Sequence, residues 1–377
     1  MLPESAVITG SGLKSMSLKI AGLFLLERNI MVLSRAGIKK ISLLLSEEEE
    51  NFFNKNILKH IRNAEAEIAL MSGKAPSDNS FVIPSNVFIQ QHNITGYETY
   101  FKKNRKNLEP VYSDDLFIVN DESDCRKAEK KISEYIIKNT GGYIAQKINK
   151  RISIPISLKL TPTRIHPNYL TVFNMIIGLL SSFFIFMAAS GSYSPGAIYA
   201  FMVLGGFLFQ AASVLDGVDG EVAKFTLKVS KIGGWLDTFS DNTTLILFLV
   251  SNSWLFYTRM GGMVSLLTIA VLFTGLAIML GSIVSYLRKY SESGSLVAYD
   301  KEFLQKLPES DRLVTFALKM KYITKKEMFS IFFFLFAFTG HIYYIIPMAA
   351  FVLLAAAIIL VIINRRYMND FAEGKNS

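Results

Sequence analysis
The sequence predicts a chain in two parts: an α/β domain over residues 1–138, and an all-α membrane domain of six transmembrane helices over 167–368. Three observations predict it. First, residues 168–190, 196–215, 263–287 and 328–364 carry no charged side chain. A bilayer's apolar core takes about 20 helical residues, so the first three runs each supply one span. The fourth supplies two, with a turn between Gly340 and Pro347. A sixth span, about 234–257, contains Asp237 and Asp241. Second, basic residues collect in alternate loops. Lys147, Lys150, Arg151, Lys159 and Arg164 precede the first span, and Lys224, Lys228 and Lys231 follow the second. The 288–327 loop and the tail, 369–377 with Arg365 and Arg366 just ahead of it, are basic as well, whereas the intervening loops hold only Arg259. The positive-inside rule then places both termini in the cytoplasm. Third, residues 6–45 read as strand, Gly/Ser loop, helix, Gly37 stop and strand, which is βαβ texture.

Composition agrees. Of 377 residues, 51% are hydrophobic and 19% charged, which excludes a disordered chain and argues against a purely soluble globule. The net charge of +9 sits in alternate membrane loops, which points to a lipid surface rather than to nucleic acid. The single cysteine, Cys125, excludes an intramolecular disulfide or a cysteine metal cluster. No basic segment followed by an apolar one opens the chain, so no secretory signal is expected. Between the two parts, residues 139–166 place Ile144, Ile148, Ile152 and Ile156 at four-residue steps among Lys and Arg. That spacing predicts a basic amphipathic helix lying on the membrane.

The acids of the membrane part carry the chemistry. Asp216 and Asp219 are three residues apart, and Asp237 and Asp241 four apart, so each pair shares a helix face. A helical hairpin brings both pairs into one small pocket. Four unpaired carboxylates there are costly, and hard divalent cations such as Mg²⁺ relieve the cost while keeping positions open for phosphate. Two ions clamp both sides of a phosphoryl displacement. Gly217, Gly220, Ala223 and Gly233 clear bulk from the same faces, and Lys224 is placed to meet phosphate charge. Two alternatives are a charged helix cap and a metal-coupled transporter with an acidic ion site. The acids lie at the cytoplasmic ends of their spans and no inverted repeat is visible, which favours an enzyme.

These residues resemble a family. Asp216-x2-Asp219-Gly220-x2-Ala223-Lys224-x8-Gly233-x3-Asp237-x3-Asp241 is similar to the CDP-alcohol phosphatidyltransferase motif, with Lys224 where the family has Arg. The resemblance implies a six-helix membrane enzyme, often a homodimer. Such an enzyme transfers a substituted phosphoryl group from a CDP-alcohol donor to an acceptor alcohol and releases CMP. It implies a divalent metal, Mg²⁺ or Mn²⁺, held as two ions by Asp216, Asp219 and Asp237. Asp241 is implied as the base for the acceptor hydroxyl and as a further metal ligand, and Gly220 and Ala223 as lining for the nucleotide. The residues read from the sequence as nucleotide contacts are then Gly217, Gly220, Ala223, Lys224 and Gly233. An acceptor carrying phosphate needs further cations, for which Arg151, Arg164 and Lys231 are the candidates.

The N-terminal part resembles the nucleotidyltransferase half of inositol-phosphate cytidylyltransferase/di-inositol-phosphate-phosphate synthase fusions. The departures are large. The loop is only Gly10-Ser11-Gly12-Leu13-Lys14, without the family's Arg or its Pro-Lys pair. The strand Phe81–Ile83 leads to Ser85 and Asn86, with no metal-binding acid. A triphosphate needs backbone amides and a metal carboxylate, so a degenerate domain without cytidylyltransferase activity is expected.

Overall fold
A computed structural model describes residues 5–61, 65–71, 81–90, 116–290, 299, 303–308, 310–323 and 326–372. The chain forms two compact units. One comprises Met1–Thr140, Ile154–Pro167 and Val218–Ser230; the other comprises Gly141–Ser153, Asn168–Gly217 and Lys231–Ser377.

The first unit is built on short apolar strands. Strand β1 (Ser5–Thr9) buries Ala6, Val7 and Ile8. After helix α1 (Leu13–Ser17) and the two-residue strands β2 (Lys19–Ile20) and β3 (Leu23–Phe24), helix α2 (Leu25–Arg35) is followed by Gly37 at φ +91. Only glycine reaches that conformation cheaply, and the chain turns there into β4 (Lys40–Leu44). Helix α3 (Glu47–Asn56), β5 (Glu67–Leu70), β6 (Phe81–Pro84), β7 (Val87–Ile89) and β8 (Leu116–Ile118) follow, then helix α4 (Glu122–Lys138). Asp121 caps α4 by accepting from Ser123 N at 2.8 Å and Asp124 N at 3.0 Å. The sheet has the order β5-β4-β1-β6 with every pairing parallel, and β7 pairs antiparallel with β8. Ala6 stands opposite Ile41 and Phe81. The βαβ expectation is met.

The segment 218–230 is part of this unit's core. Phe225 is fully buried among Ile20, Leu25, Phe88 and Ile132. Leu227 is buried with Ile8, Leu33 and Leu43. Leu227 also has φ +54, an uncommon conformation for a branched side chain. Apolar burial offsets that strain. The helix ending here leaves carbonyls without internal partners, and two arginines of α2 donate to them. Arg28 Nη1 reaches Phe225 O at 3.0 Å, and Arg35 Nη2 donates to Leu227 O. Arg28 is 2% exposed, and burial pulls its pKa down to about 10.

The second unit is helical. Past helix α5 (Lys150–Leu160), whose residues from Ile154 onward belong to the first unit, run α6 (Pro167–Ala189), α7 (Pro195–Phe225), α8 (Lys231–Met260) and α9 (Gly262–Tyr290). Then come α10 (Arg312–Ile323), α11 (Lys326–Phe338) and α12 (Ile345–Ala372). The break between α11 and α12 falls at Gly340, φ +72, as the uncharged run predicts. Ile148 and Ile152 of the amphipathic stretch are exposed. In α6, Tyr169, Phe173, Ile176, Leu180 and Phe183 form an exposed stripe at helical spacing, suited to lipid.

Four segments are long and apolar enough to cross a membrane: Pro167–Ala189, Pro195–Phe225, Gly262–Tyr290 and Ile342–Tyr367. The sequence leads to an expectation of six, and the structure supports four among the described residues. Helix α8 carries Lys231, Asp237, Asp241 and Arg259, which lower its mean apolarity. Helix α11 has 13 residues, about 20 Å, which is short of a hydrocarbon core about 30 Å thick.

Close packing sets α6, α7, α8 and α11 together. Phe209 and Phe248 stack at 3.8 Å between centroids, with Phe333 edge-on to both. A Cβ on Gly178 would meet Thr244 Cγ2 at 2.6 Å, so glycine is what lets α6 and α8 approach.

Candidate active site
Helices α7 and α8 bring three of the four signature acids together. Asp216, Asp237 and Asp241 each offer a carboxylate oxygen, and the three atoms lie within 4.8 Å of one another. All three are half-buried. Each unrelieved pair within this spacing costs about 3.5 kcal/mol or more at an effective dielectric of about 20. The side chains present relieve part of this. Lys326 Nζ lies 3.2 Å from Asp216 Oδ1 and 2.5 Å from Asp241 Oδ1. Asn174 of α6 donates to Asp216 Oδ1 at 3.4 Å.

Asp219 belongs to the other compact unit and is not one of the three. It is 7% exposed, and its Oδ1 accepts from Gly220 N at 2.5 Å. A Cβ on Gly220 would meet nothing within 4 Å, so packing does not explain this glycine and open space faces it. Gly217 is half-buried in α7 and Gly233 half-buried in α8. Ala223 is 8% exposed, and Lys224 beside it is exposed. Lys231 is exposed at the first position of α8, and Arg151 is exposed on α5. Arg164 is engaged elsewhere: its guanidinium donates to both oxygens of buried Glu27, at 3.1 and 3.4 Å. Burial pushes the Glu27 carboxyl up from its ordinary value, and Arg164 acts against that shift.

Sequence reasoning missed Lys326. In the sequence it is one of many lysines of a basic loop, and only the fold brings it to acids 85 and 110 residues away. It also missed buried Glu221, which accepts from Ser157 Oγ at 2.6 Å.

The Gly10–Lys14 loop is also occupied by the protein's own side chain. Glu49 Oε1 accepts from Gly12 N at 2.7 Å, and its Oε2 accepts from Ser46 N at 2.9 Å and Ser46 Oγ at 3.0 Å. A Cβ on Gly10 would fall 2.0 Å from Glu49 Oε2. Ser85, where a metal acid is expected by resemblance, donates to Ser11 Oγ at 2.9 Å.

The family match falls on the helical part. A family model described as CDP-alcohol phosphatidyltransferase matches residues 164–363, just over half of the chain. The chain belongs to this family. It is 33% identical over 132 residues to the Bifunctional IPC transferase and DIPP synthase of Archaeoglobus fulgidus, covering 35% of this chain and 24% of that protein. Identity is 36% over 132 residues to the protein of the same description from Aquifex aeolicus, covering 35% and 28%. It is 31% over 121 residues to the Archaetidylinositol phosphate synthase of Pyrococcus horikoshii, covering 31% and 55%. The chain thus matches about a quarter of the length of the bifunctional relatives. Family membership and four membrane-crossing segments make this an integral membrane protein.

Members of this family depend on divalent metal, and the residues present fit one. Hard carboxylate oxygens from two helices converge within one ion's coordination sphere. A lysine ammonium between two of them marks the spot as one that selects positive charge.

Proposed function
We propose that this protein is a membrane CDP-alcohol phosphotransferase. It moves a substituted phosphoryl group from a CDP-alcohol to an acceptor alcohol and releases CMP, in phospholipid or inositol-phosphate-type synthesis. The convergence of Asp216, Asp237 and Asp241 within the family-matched region carries this reading. Asp216, Asp219 and Asp237 hold metal, two ions of Mg²⁺ or Mn²⁺. Bound metal supplies neutralisation of the diphosphate and of the leaving CMP. Asp241 serves as the base that takes the proton of the acceptor hydroxyl as that oxygen attacks phosphorus, and it doubles as a ligand. Gly217, Gly220, Ala223 and Gly233 give the nucleotide access to the backbone. Lys224 meets its phosphates as a point charge, without the planar fork an arginine offers. Lys231 and Arg151, both exposed, are the acceptor-phosphate candidates, with Arg164 serving Glu27 in this structure.

The same reading has six spans with both termini cytoplasmic, residues 139–166 as a juxtamembrane helix, 167–368 as the membrane domain and 369–377 as a cytoplasmic tail. It takes the enzyme as a homodimer and residues 1–138 as a degenerate nucleotidyltransferase-like domain. Glu49 in the Gly10–Lys14 loop supports that last point, since a carboxylate stands where a phosphate would have to sit.

Purified protein with Mg²⁺, CDP-activated lipids or CDP-inositol, and a panel of alcohols and inositol phosphates should release CMP. Absence of CMP across the panel, with metal and donor bound, would overturn the reaction class. Tags at either terminus should stay protected outside intact cells, and a tag near Tyr193 should be accessible there.

A further inference from the structure
Lys326 is the first residue of α11. A helix N-terminus carries partial positive charge and disfavours a cation. The lysine side chain nevertheless folds into the acid cluster and is 12% exposed. Its ammonium bonds Asp216 and Asp241 at once, and those are two of the three residues that converge to hold an ion. The attraction of the acids therefore outweighs the helix end, and a single positive charge sits against two of the three converging carboxylates.

We propose that Lys326 is a built-in counter-ion that fills the metal centre of the ion-free enzyme and is displaced when a divalent cation enters. This rests on reading the acids as metal ligands. A divalent ion and an ammonium cannot both take Asp216 Oδ1 and Asp241 Oδ1, because both need the same lone pairs and repel each other. The ion wins by carrying twice the charge and bonding hard oxygens directly. The lysine can yield because its charge is compact and its four-carbon stem rotates freely. The exchange spares the cluster from standing as unpaired carboxylates, which is strongly unfavourable away from water. Its consequence is an apparent metal affinity below the intrinsic one, since each ion must expel a resident cation.

Mn²⁺ binding to the purified full chain, followed by the loss of the free-ion electron paramagnetic resonance signal, tests this without any activity assay. K326Q should bind Mn²⁺ about tenfold more tightly than the wild type, as removing a competing ion pair worth somewhat over 1 kcal/mol requires. Its ion-free thermal midpoint should fall, and Mn²⁺ should raise that midpoint by more than in the wild type. K326R, which keeps the charge, should stay near the wild-type affinity. Equal or weaker Mn²⁺ binding by K326Q overturns the proposal. A measurement on the wild type covers the case of a variant that does not fold. Saturating Mn²⁺ should expose Lys326 to an amine-reactive acetylating reagent, read by mass spectrometry, and unchanged acetylation overturns the proposal. D216N and D241N separate the two levels. If they leave Mn²⁺ affinity untouched, the metal-ligand reading fails; if they weaken it while K326Q changes nothing, only the counter-ion proposal fails.

Discussion
In each unit a charged side chain of the protein itself bonds a cluster of opposite polarity, but the two contacts differ in kind. In the α/β unit, Glu49 accepts from Gly12 N of the Gly10–Lys14 loop and from Ser46 N and Ser46 Oγ. It is 4% exposed and belongs to the first turn of α3, where a carboxylate suits the helix dipole. Helix capping, loop packing and burial all favour the contact, so it is part of the fold. In the helical unit, Lys326 holds two acids by charge-assisted hydrogen bonds from a flexible side chain, at a helix end that disfavours it. On the proposal above, that contact is exchangeable. A contact fixed by capping and burial and one held by ion pairing are therefore distinguishable from the local energetics of the side chain that makes them.

The largest test of the contrast is on the acids. Asp216→Asn, Asp219→Asn and Asp237→Asn should each abolish turnover and weaken metal binding, because Asn keeps an oxygen but loses the charge that offsets a divalent ion. Asp241→Asn should lower turnover by about 10²–10⁴ as expected for a lost general base, while CDP-donor binding in the presence of metal persists. Donor-binding titrations alongside CMP release check this. Loss of donor binding in Asp241→Asn would move it wholly into the metal shell.

The α/β contact should behave oppositely. Glu49→Ala should destabilise the chain by about 1 kcal/mol, since the Ser46–Glu49 capping box of α3 and the bond to Gly12 N are lost. It should create no pyrophosphate release from CTP with sugar or inositol phosphates, because no acid follows β6 to hold a metal. Thermal unfolding and a pyrophosphate assay on wild type and variant read both outcomes. Pyrophosphate from either would show the loop to be competent.

Arg28→Met should cost about 1–3 kcal/mol by leaving the buried Phe225 carbonyl without its donor. The Michaelis constant for the CDP-donor should rise with it, since Ala223 and Lys224 lie in the last turn before Phe225. A loss of stability with unchanged donor kinetics would confine Arg28 to folding.

The smallest expected effect concerns Cys125. Burial pushes its thiol up to about 11. Alkylation at pH 8 should run about 100-fold slower than for an ordinary thiol on thiolate fraction alone. The sign of the linkage follows: between the ordinary thiol range and pH 11 the folded chain keeps a proton that the unfolded chain has lost, so stability declines as pH rises through that window. Mass-spectrometric alkylation rates and unfolding at pH 8 and pH 10.5 measure both.

Local patterns determined much of this protein. Uncharged runs fixed the four membrane-crossing segments, because exclusion from water depends on composition along a helix. Strand and glycine signals fixed the βαβ start, and the four-residue spacing of Asp237 and Asp241 put them on one helix face, because helical periodicity is a property of the chain itself. The expected meeting of all four acids was not fixed in this way, since Asp219 is not among the three that converge. The tertiary structure decided what no spacing encodes. It set Lys326 against two acids, Glu49 into the glycine loop, and Arg28 and Arg35 onto the carbonyls after Lys224. It also drew 154–167 and 218–230 into the α/β unit. Each of these joins residues distant in sequence through charge or burial, and such contacts are selected by the energy of the folded whole rather than by any local preference.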